Sequence, residues 1–306
     1  KSYFIETLEK TWFTNCFFKI FLVSFFFFKL LSVMPELPEV EVVRCFLESR
    51  IVGKKILKVS TVDDKLRYKI PSNLNLSLRN LIITKILRRG KYLILLFKDS
   101  KFNLLIHLGM TGYFRISDKL VKKKHDHLIF FFKKKILIFN DIRKFGFVKI
   151  YSDKEIFYSS HLKNMGIEPL SKNFNLDYFY SFRKRTVDLK GLLMNQSFTA
   201  GLGNIYCSEI LYDAKVSPLR KINSLNDSEI RNIIKSTKKI LKRAISFGGT
   251  TIKNFIVSEE KIGYFKNKLK VYSRDKKNCL RCFGGIVIKK IKQGGRSTFF
   301  CEKCQK

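Results

Sequence analysis

Apolar positions stand at helical spacing in some stretches and in short runs in others, and the change from one to the other divides the chain. Val40, Val43, Leu47 and Ile51 follow helical spacing and Gly53 supplies a stop, which predicts a helix over 40–51. Short runs rich in Ile, Leu, Val and Phe come next: Lys55–Val62, Leu81–Leu87, Tyr92–Phe97, Leu104–Leu108, Leu128–Phe132, Ile136–Phe139 and Phe147–Tyr151. Turn residues such as Gly90, Asp99-Ser100 and Gly109 bound several of them, so they read as strands. One helix followed by closely spaced strands predicts a sandwich or barrel-like domain of about 130 residues. Past residue 155 the period turns helical. Leu176–Arg185, Leu189–Gln196, Asn204–Ala214 and Asp227–Ser246 carry polar faces, and Asn226-Asp227-Ser228-Glu229 has the form of a helix N-terminus. The chain reads as largely helical to about residue 270, with no internal repeat.

Residues 1–33 stand apart. Their aromatic-rich run, Ile20–Phe28, is flanked by Lys19 and Lys29. It is shorter than the roughly 20 apolar residues of a membrane span, and no small-x-small cleavage site follows it. The segment opens on Lys1, and the expectation is a leader or upstream-translated segment with the functional start at Met34. A membrane-associated protein anchored by this run is the alternative, which fractionation would test.

Charge narrows the partners. Lys and Arg total 61 against 25 Asp and Glu, a net +36, and without residues 1–33 the chain keeps +34. So basic a chain implies a polyanion, because each neutralised phosphate releases counterions. AT-rich coding, which inflates Lys, Ile, Asn and Phe, accounts for part of the excess but not for basic residues inside motifs. The seven cysteines do not form a disulfide framework. Cys16, Cys45 and Cys207 are scattered, whereas Cys279-x2-Cys282 and Cys301-x2-Cys304 are separated by 18 residues. Two such knuckles offer four thiolates to one tetrahedral structural zinc and suggest a reducing compartment. Gly284-Gly285 and Gly294-Gly295 suit the turns of a hairpin between them, and Arg296 stands at the second turn.

The segment Met34-Pro35-Glu36-Leu37-Pro38-Glu39-Val40-Glu41 has two readings. Carboxylates and prolines favour a helix start, so a capped helix explains it without chemistry. If Met34 is removed, Pro35 exposes a secondary amine whose pKa, near ~8, leaves an unprotonated fraction at neutral pH. Such an amine forms an iminium with a sugar aldehyde carbon without prior activation.

From Met34 onward the chain resembles the formamidopyrimidine-DNA glycosylases, bifunctional enzymes that remove oxidised purines. The resemblance rests on residues 35–41, Gly90-Lys91-Tyr92-Leu93, His107-Leu108-Gly109-Met110-Thr111-Gly112 and Lys124-His125-Asp126-His127. It continues through Asn140-Asp141-Ile142-Arg143-Lys144-Phe145-Gly146, Gly201-Leu202-Gly203-Asn204-Ile205-Tyr206, Gly248-Gly249-Thr250-Thr251 and the four cysteines. Endonuclease VIII shares the chemistry, but the continuation Leu37-Pro38-Glu39-Val40-Glu41 favours the oxidised-purine branch.

The resemblance implies an α+β fold with a β-sandwich catalytic domain over 34–160, flanked by a helix. A helical DNA-binding domain with a helix-two-turn-helix follows over 161–270, and a β-hairpin zinc finger over 271–306. It implies a monomer on damaged double-stranded DNA, cytoplasmic and nucleoid-associated, bacterial-type or organellar, with one structural Zn2+ and no membrane partner. Pro35 becomes the nucleophile, Glu36 the general acid/base with Glu39 in support, Lys91 the lysine of β-elimination and Arg296 the arginine of δ-elimination. Met110, Arg143 and Phe145 fill the space left by the extruded base; by residue type alone, core packing explains Met110 and Phe145 equally well. His125, Arg185 and Asn204 become DNA contacts, and Lys261 sits in a loop that covers the extruded base, whereas His127 reads equally as a core residue. Lys144, Asn195 and Ser208 depart from the family pattern at positions without a catalytic role. A non-catalytic DNA-binding zinc protein on the same scaffold is the competing reading, since an amide nitrogen at Pro35 cannot attack.

Overall fold

The computed structural model describes residues 34–250 and 264–306; Lys261 therefore lies outside the described residues. The first helix, α1 (Leu37–Ile51), begins earlier than its apolar spacing predicts. Pro38 suits its first turn, and the Glu39 carboxylate accepts the Glu36 amide at 3.0 Å, so the chain enters the helix through acidic capping.

Eight antiparallel strands form two sheets. One has the order β1 (Lys58–Thr61), β6 (Asp126–Phe131), β7 (Ile136–Asn140), β5 (Tyr113–Ser117). The other has the order β2 (Ile83–Arg89), β3 (Tyr92–Phe97), β4 (Phe102–His107), β8 (Phe147–Ser152). A short helix, α2 (Leu74–Leu78), packs on β1. Side chains of both sheets and of α1 meet in one core: Val43 and Leu47, Leu93 and Leu95, Ile106, Phe114, Phe130, Phe139 and Val148. The alternate residues of the second sheet, Ile94, Leu105 and Phe147, are buried on its other face against Ile156 and Leu162. Burial on both faces is why these strands read as unbroken apolar runs rather than as polar–apolar alternation.

The sequence reading did not contain the short helix α2 or strand β5, and it drew one later helix too long. Strand β5 carries the buried Arg115, paired with Asp126 of β6, and this charge masks its short pattern. The helix expected over 176–185 stops at Tyr180 as α3 (Leu176–Tyr180), and the chain goes on in turns held by bonds such as Arg183 N–H to the Tyr180 carbonyl.

The remaining helices are α4 (Leu189–Met194), α5 (Asn204–Ala214) and α6 (Asp227–Ser246). In α6 the expected N-terminus is a reciprocal box: Asn226 Oδ1 accepts the Glu229 amide and Glu229 Oε2 accepts the Asn226 amide, both at 2.9 Å. Ile230, Ile233, Ile240, Leu241 and Ala244 form its buried face, which packs on α5 and α1. The hairpin β9 (Lys289–Gln293) and β10 (Arg296–Phe300) closes the chain and packs on α5. Residues 35–306 form one compact unit. No helix among the described residues is long and apolar enough to cross a membrane.

Candidate active site and zinc centre

Three adjacent strands of the second sheet end together. Tyr92 of β3 faces His107 of β4, and His107 faces Phe147 of β8. Lys91, the loop from Leu108 to Gly112 and the loop from Asp141 to Gly146 therefore lie at one edge. The Lys91 turn is held from below. Glu168 accepts the Gly90 amide at 2.6 Å and pairs with Arg88 at 2.8 Å, while Arg88 also pairs with Glu41 of α1 at 2.7 Å.

The N-terminus of α5 meets this edge at Glu36. The Glu36 carboxylate, 3% exposed, accepts the Ile205 amide at 2.9 Å and the Tyr206 amide at 3.4 Å. Only glycine permits this approach, since a Cβ on Gly203 would lie 2.4 Å from Glu36 Cδ. Glu39 is the tie beneath it. Besides the Glu36 amide, it accepts the Tyr206 hydroxyl at 2.6 Å, and the Thr250 amide and hydroxyl at 2.8 and 2.9 Å.

Burial pushes the Glu36 carboxyl up from 4.5 to about 7; Lys91 opposes the rise, Glu39 adds to it, and the Ile205 and Tyr206 amides oppose it. At neutral pH this side chain both holds and releases a proton. Burial also drives His107 down to about 4, with Lys91, Arg67 and His161 acting in the same direction, so its ring is neutral. Its Nδ1 then accepts the Gly109 amide at 3.1 Å and orients the loop that bears Met110.

The zinc hairpin completes the arrangement. Asn204 Nδ2 donates to the Ser297 carbonyl at 2.9 Å. Lys190 of α4, 1% exposed, donates to Thr298 Oγ1 at 2.6 Å and to the Ser297 carbonyl at 3.3 Å. Gln293 Nε2 donates to Asp188 Oδ1 at 2.7 Å. Burial pushes the Lys190 ammonium below its usual range; Cys207, Asp188 and Glu36 oppose that change and Arg296 reinforces it. Lys190 and Arg296 thus stand in the same electrostatic neighbourhood as Glu36. The sequence reading missed Lys190, Glu168 and Arg88. Only the continuity of Asp188-Leu189-Lys190 with a helix start marked Lys190, and that is a weak signal.

Met110, Arg143 and Phe145 share the neighbouring loops. Phe145 is 46% exposed and the Arg143 guanidinium lies 4.9 Å from its ring centre, so neither belongs to the core. Met110 is half-buried beside them. His125 has φ of +69° and its carbonyl accepts the Asp141 amide at 3.0 Å, which brings it to the same edge. His127 is fully buried between the Asp63 and Asp141 carbonyls and is a core residue. Arg185 is exposed, with its guanidinium 4.6 Å from the Phe182 ring centre.

The comparisons match these features in order. The family model of the formamidopyrimidine-DNA glycosylase N-terminal domain matches residues 34–148, and that of the formamidopyrimidine-DNA glycosylase H2TH domain matches residues 165–256. The model of the zinc finger found in FPG and IleRS matches residues 276–306. The chain belongs to the formamidopyrimidine-DNA glycosylase family. It is similar to the formamidopyrimidine-DNA glycosylase of Rickettsia bellii, 43% identical over 276 residues that cover 89% of this chain and 100% of that protein. The Rickettsia felis protein of the same name is 42% identical, with 89% and 98% covered. A solved complex between the Lactococcus lactis Fpg and an abasic site containing DNA is 38% identical with a TM-score of 0.80, covering 89% of this chain and 99% of that one. MutM in complex with carbocyclic 8-oxo-G containing DNA is 39% identical with a TM-score of 0.80, covering 89% and 100%.

The family's zinc fits the residues present. The four Sγ atoms of Cys279, Cys282, Cys301 and Cys304 lie within 4.8 Å of one another. Cys279–Cys304 and Cys282–Cys301 are 3.9 and 3.7 Å apart, far beyond a disulfide bond of about 2.05 Å. A tetrahedron with Zn–S of about 2.3 Å has edges of about 3.8 Å, so one ion fits all four thiolates. The chain is a zinc-finger DNA-repair glycosylase, and its zinc holds structure because four thiolates leave no open position for water.

Proposed function

We propose that the protein excises oxidised purines, 8-oxoguanine and formamidopyrimidines, from duplex DNA and then cuts the strand by β,δ-elimination. The Pro35 amine, freed by the absence of residues 1–34, attacks C1′ as the N-glycosidic bond breaks, and leaves an iminium. Glu36 shuttles protons between the sugar and the opened ring. Elimination then releases the 3′ and 5′ phosphates in turn, with Lys91 and Arg296 stabilising the departing charge. His125, Arg185 and Asn204 hold the backbone, Lys261 closes over the extruded base, and Met110, Arg143 and Phe145 replace it in the stack. The enzyme acts as a monomer, in the cytoplasm at the nucleoid.

One observation carries this reading. A carboxyl beside Pro35 is buried with its pKa near 7, on the amides of a helix N-terminus and beside Lys91. Buried beside Pro35 and close to Lys91, this carboxyl stands where a proton must pass between the amine and the sugar. The test is borohydride trapping on duplex DNA bearing 8-oxoguanine, comparing protein that begins at Pro35 with the chain that keeps residues 1–34. A covalent adduct with the first and none with the second is expected. If a verified Pro35 terminus gives no adduct, the competing reading of a non-catalytic DNA-binding protein takes its place.

A further inference from the structure

The loops that carry Met110, Arg143 and Phe145 meet at one carboxylate outside the chemistry above. Asp141 is fully buried. Its Oδ1 accepts the Thr111 hydroxyl, and the Arg143 amide at 3.2 Å; its Oδ2 accepts the Gly146 amide at 2.7 Å. The bonds thus grip the backbone on both sides of Phe145. The Thr111 hydroxyl also accepts the Arg143 amide at 3.0 Å, which makes it a bridge from the Met110 loop. Asp141 is itself fixed: its amide donates to the His125 carbonyl and its carbonyl faces His127 Nε2, each at 3.0 Å.

The two loops also touch backbone to backbone. Gly109 has φ of +64°, and a Cβ there would lie 2.3 Å from Gly146 N and 2.5 Å from the Phe145 carbonyl carbon. No side chain fits between them. Hydrogen bonds to an ionised acceptor are stronger than neutral ones, and several on one buried carboxylate fix a loop's geometry more tightly than packing of exposed side chains. Phe145 and Arg143 are both exposed and lie outside the core.

We propose that Asp141, through Thr111, is the positioning residue that locks the two loops into one wedge, so that Met110, Arg143 and Phe145 enter the stack together. This rests on the extrusion of a damaged base proposed above. Loops ordered beforehand do not lose conformational freedom at the moment of insertion, so the lock accelerates extrusion and leaves the iminium chemistry at Pro35 alone.

The perturbation is Asp141→Asn, which sets an amide donor against one of the backbone amides. The companion Thr111→Val removes only the bridging hydroxyl and keeps the fold should the first variant fail to do so. Both are made in protein that begins at Pro35. Single-turnover excision of 8-oxoguanine from duplex DNA is compared with borohydride trapping at a preformed abasic site, and insertion is followed by 2-aminopurine next to the lesion. Excision should fall about 10- to 100-fold in Asp141→Asn and about 3- to 10-fold in Thr111→Val, while trapping changes by less than about threefold. The 2-aminopurine signal should slow with excision. Parallel loss of excision and trapping, or excision at the wild-type rate in both variants, overturns the assignment alone. A wild-type protein that fails to trap overturns the functional reading, and the assignment with it.

Discussion

Replacing Glu36 by Gln should make the protein more stable at alkaline pH while abolishing its chemistry. The ionised carboxylate is held at 3% exposure, and burial is the largest cause of its rise from 4.5 to about 7. The sign follows from proton linkage. With a folded-state pKa above the unfolded value, the contribution of Glu36 to stability is fully present below pH 4.5. It is lost as pH rises through about 7. The loss above pH 7 is about 3 kcal/mol, from ~1.4 kcal/mol for each pH unit between the two values. Gln keeps an acceptor for the Ile205 amide, the shorter of the two bonds, and carries no charge to desolvate. Denaturant titrations of wild type and Glu36→Gln across pH 4–8 should coincide at the acid end and diverge by up to about 3 kcal/mol at the alkaline end. In protein that begins at Pro35 the ammonium next to Glu36 favours the carboxylate, so the divergence should shrink there. Trapping on 8-oxoguanine DNA should be lost in the variant at every pH. A stability difference that stays flat with pH would falsify the electrostatic account, whatever its size.

Two further outcomes follow from the same geometry. Gly203→Ala places a methyl group against Glu36 Cδ and should destabilise by about 1–3 kcal/mol, with loss of trapping; wild-type melting and trapping together would show that α5 can retreat. Cys301→Ser, or chelation of the wild type, should abolish zinc binding, measured as metal content. It should weaken DNA affinity most at low salt, because Arg296 and the Asn204–Ser297 contact lose their hairpin; zinc held by three cysteines at full stoichiometry contradicts the closed site.

Much of the architecture was legible from local pattern. Apolar runs bounded by turn residues placed the strands Tyr92–Phe97, Phe102–His107, Asp126–Phe131, Ile136–Asn140 and Phe147–Ser152, and helical periodicity placed the helices Asn204–Ala214 and Asp227–Ser246, because run length, period and capping are encoded within a few residues. The knuckle spacing marked the four cysteines, since a tetrahedral ion admits few arrangements of two Cys-x2-Cys pairs. Strand Tyr113–Ser117 was hidden because the salt bridge that lets Arg115 be buried has its other half on a different strand.

The site divides along the same line. The resemblance carried by the motifs along the chain pointed to Pro35, Glu36, Lys91 and Arg296. No local pattern could show that the Glu36 carboxyl is pushed up to about 7, because the burial that raises it comes from elements distant in sequence, among them the helix start at Ile205, 169 residues away. Lys190 reads in sequence as one more lysine of a basic chain, and only the folded hairpin, 108 residues on, makes it a buried cation beside the site. Asp141 likewise looks like a turn residue until Thr111 and Gly146 arrive on its two oxygens. Sequence by itself determined the elements and the chemical groups, because those depend on neighbours along the chain. Tertiary structure decided their protonation and their coupling, because desolvation and hydrogen bonding depend on neighbours in space.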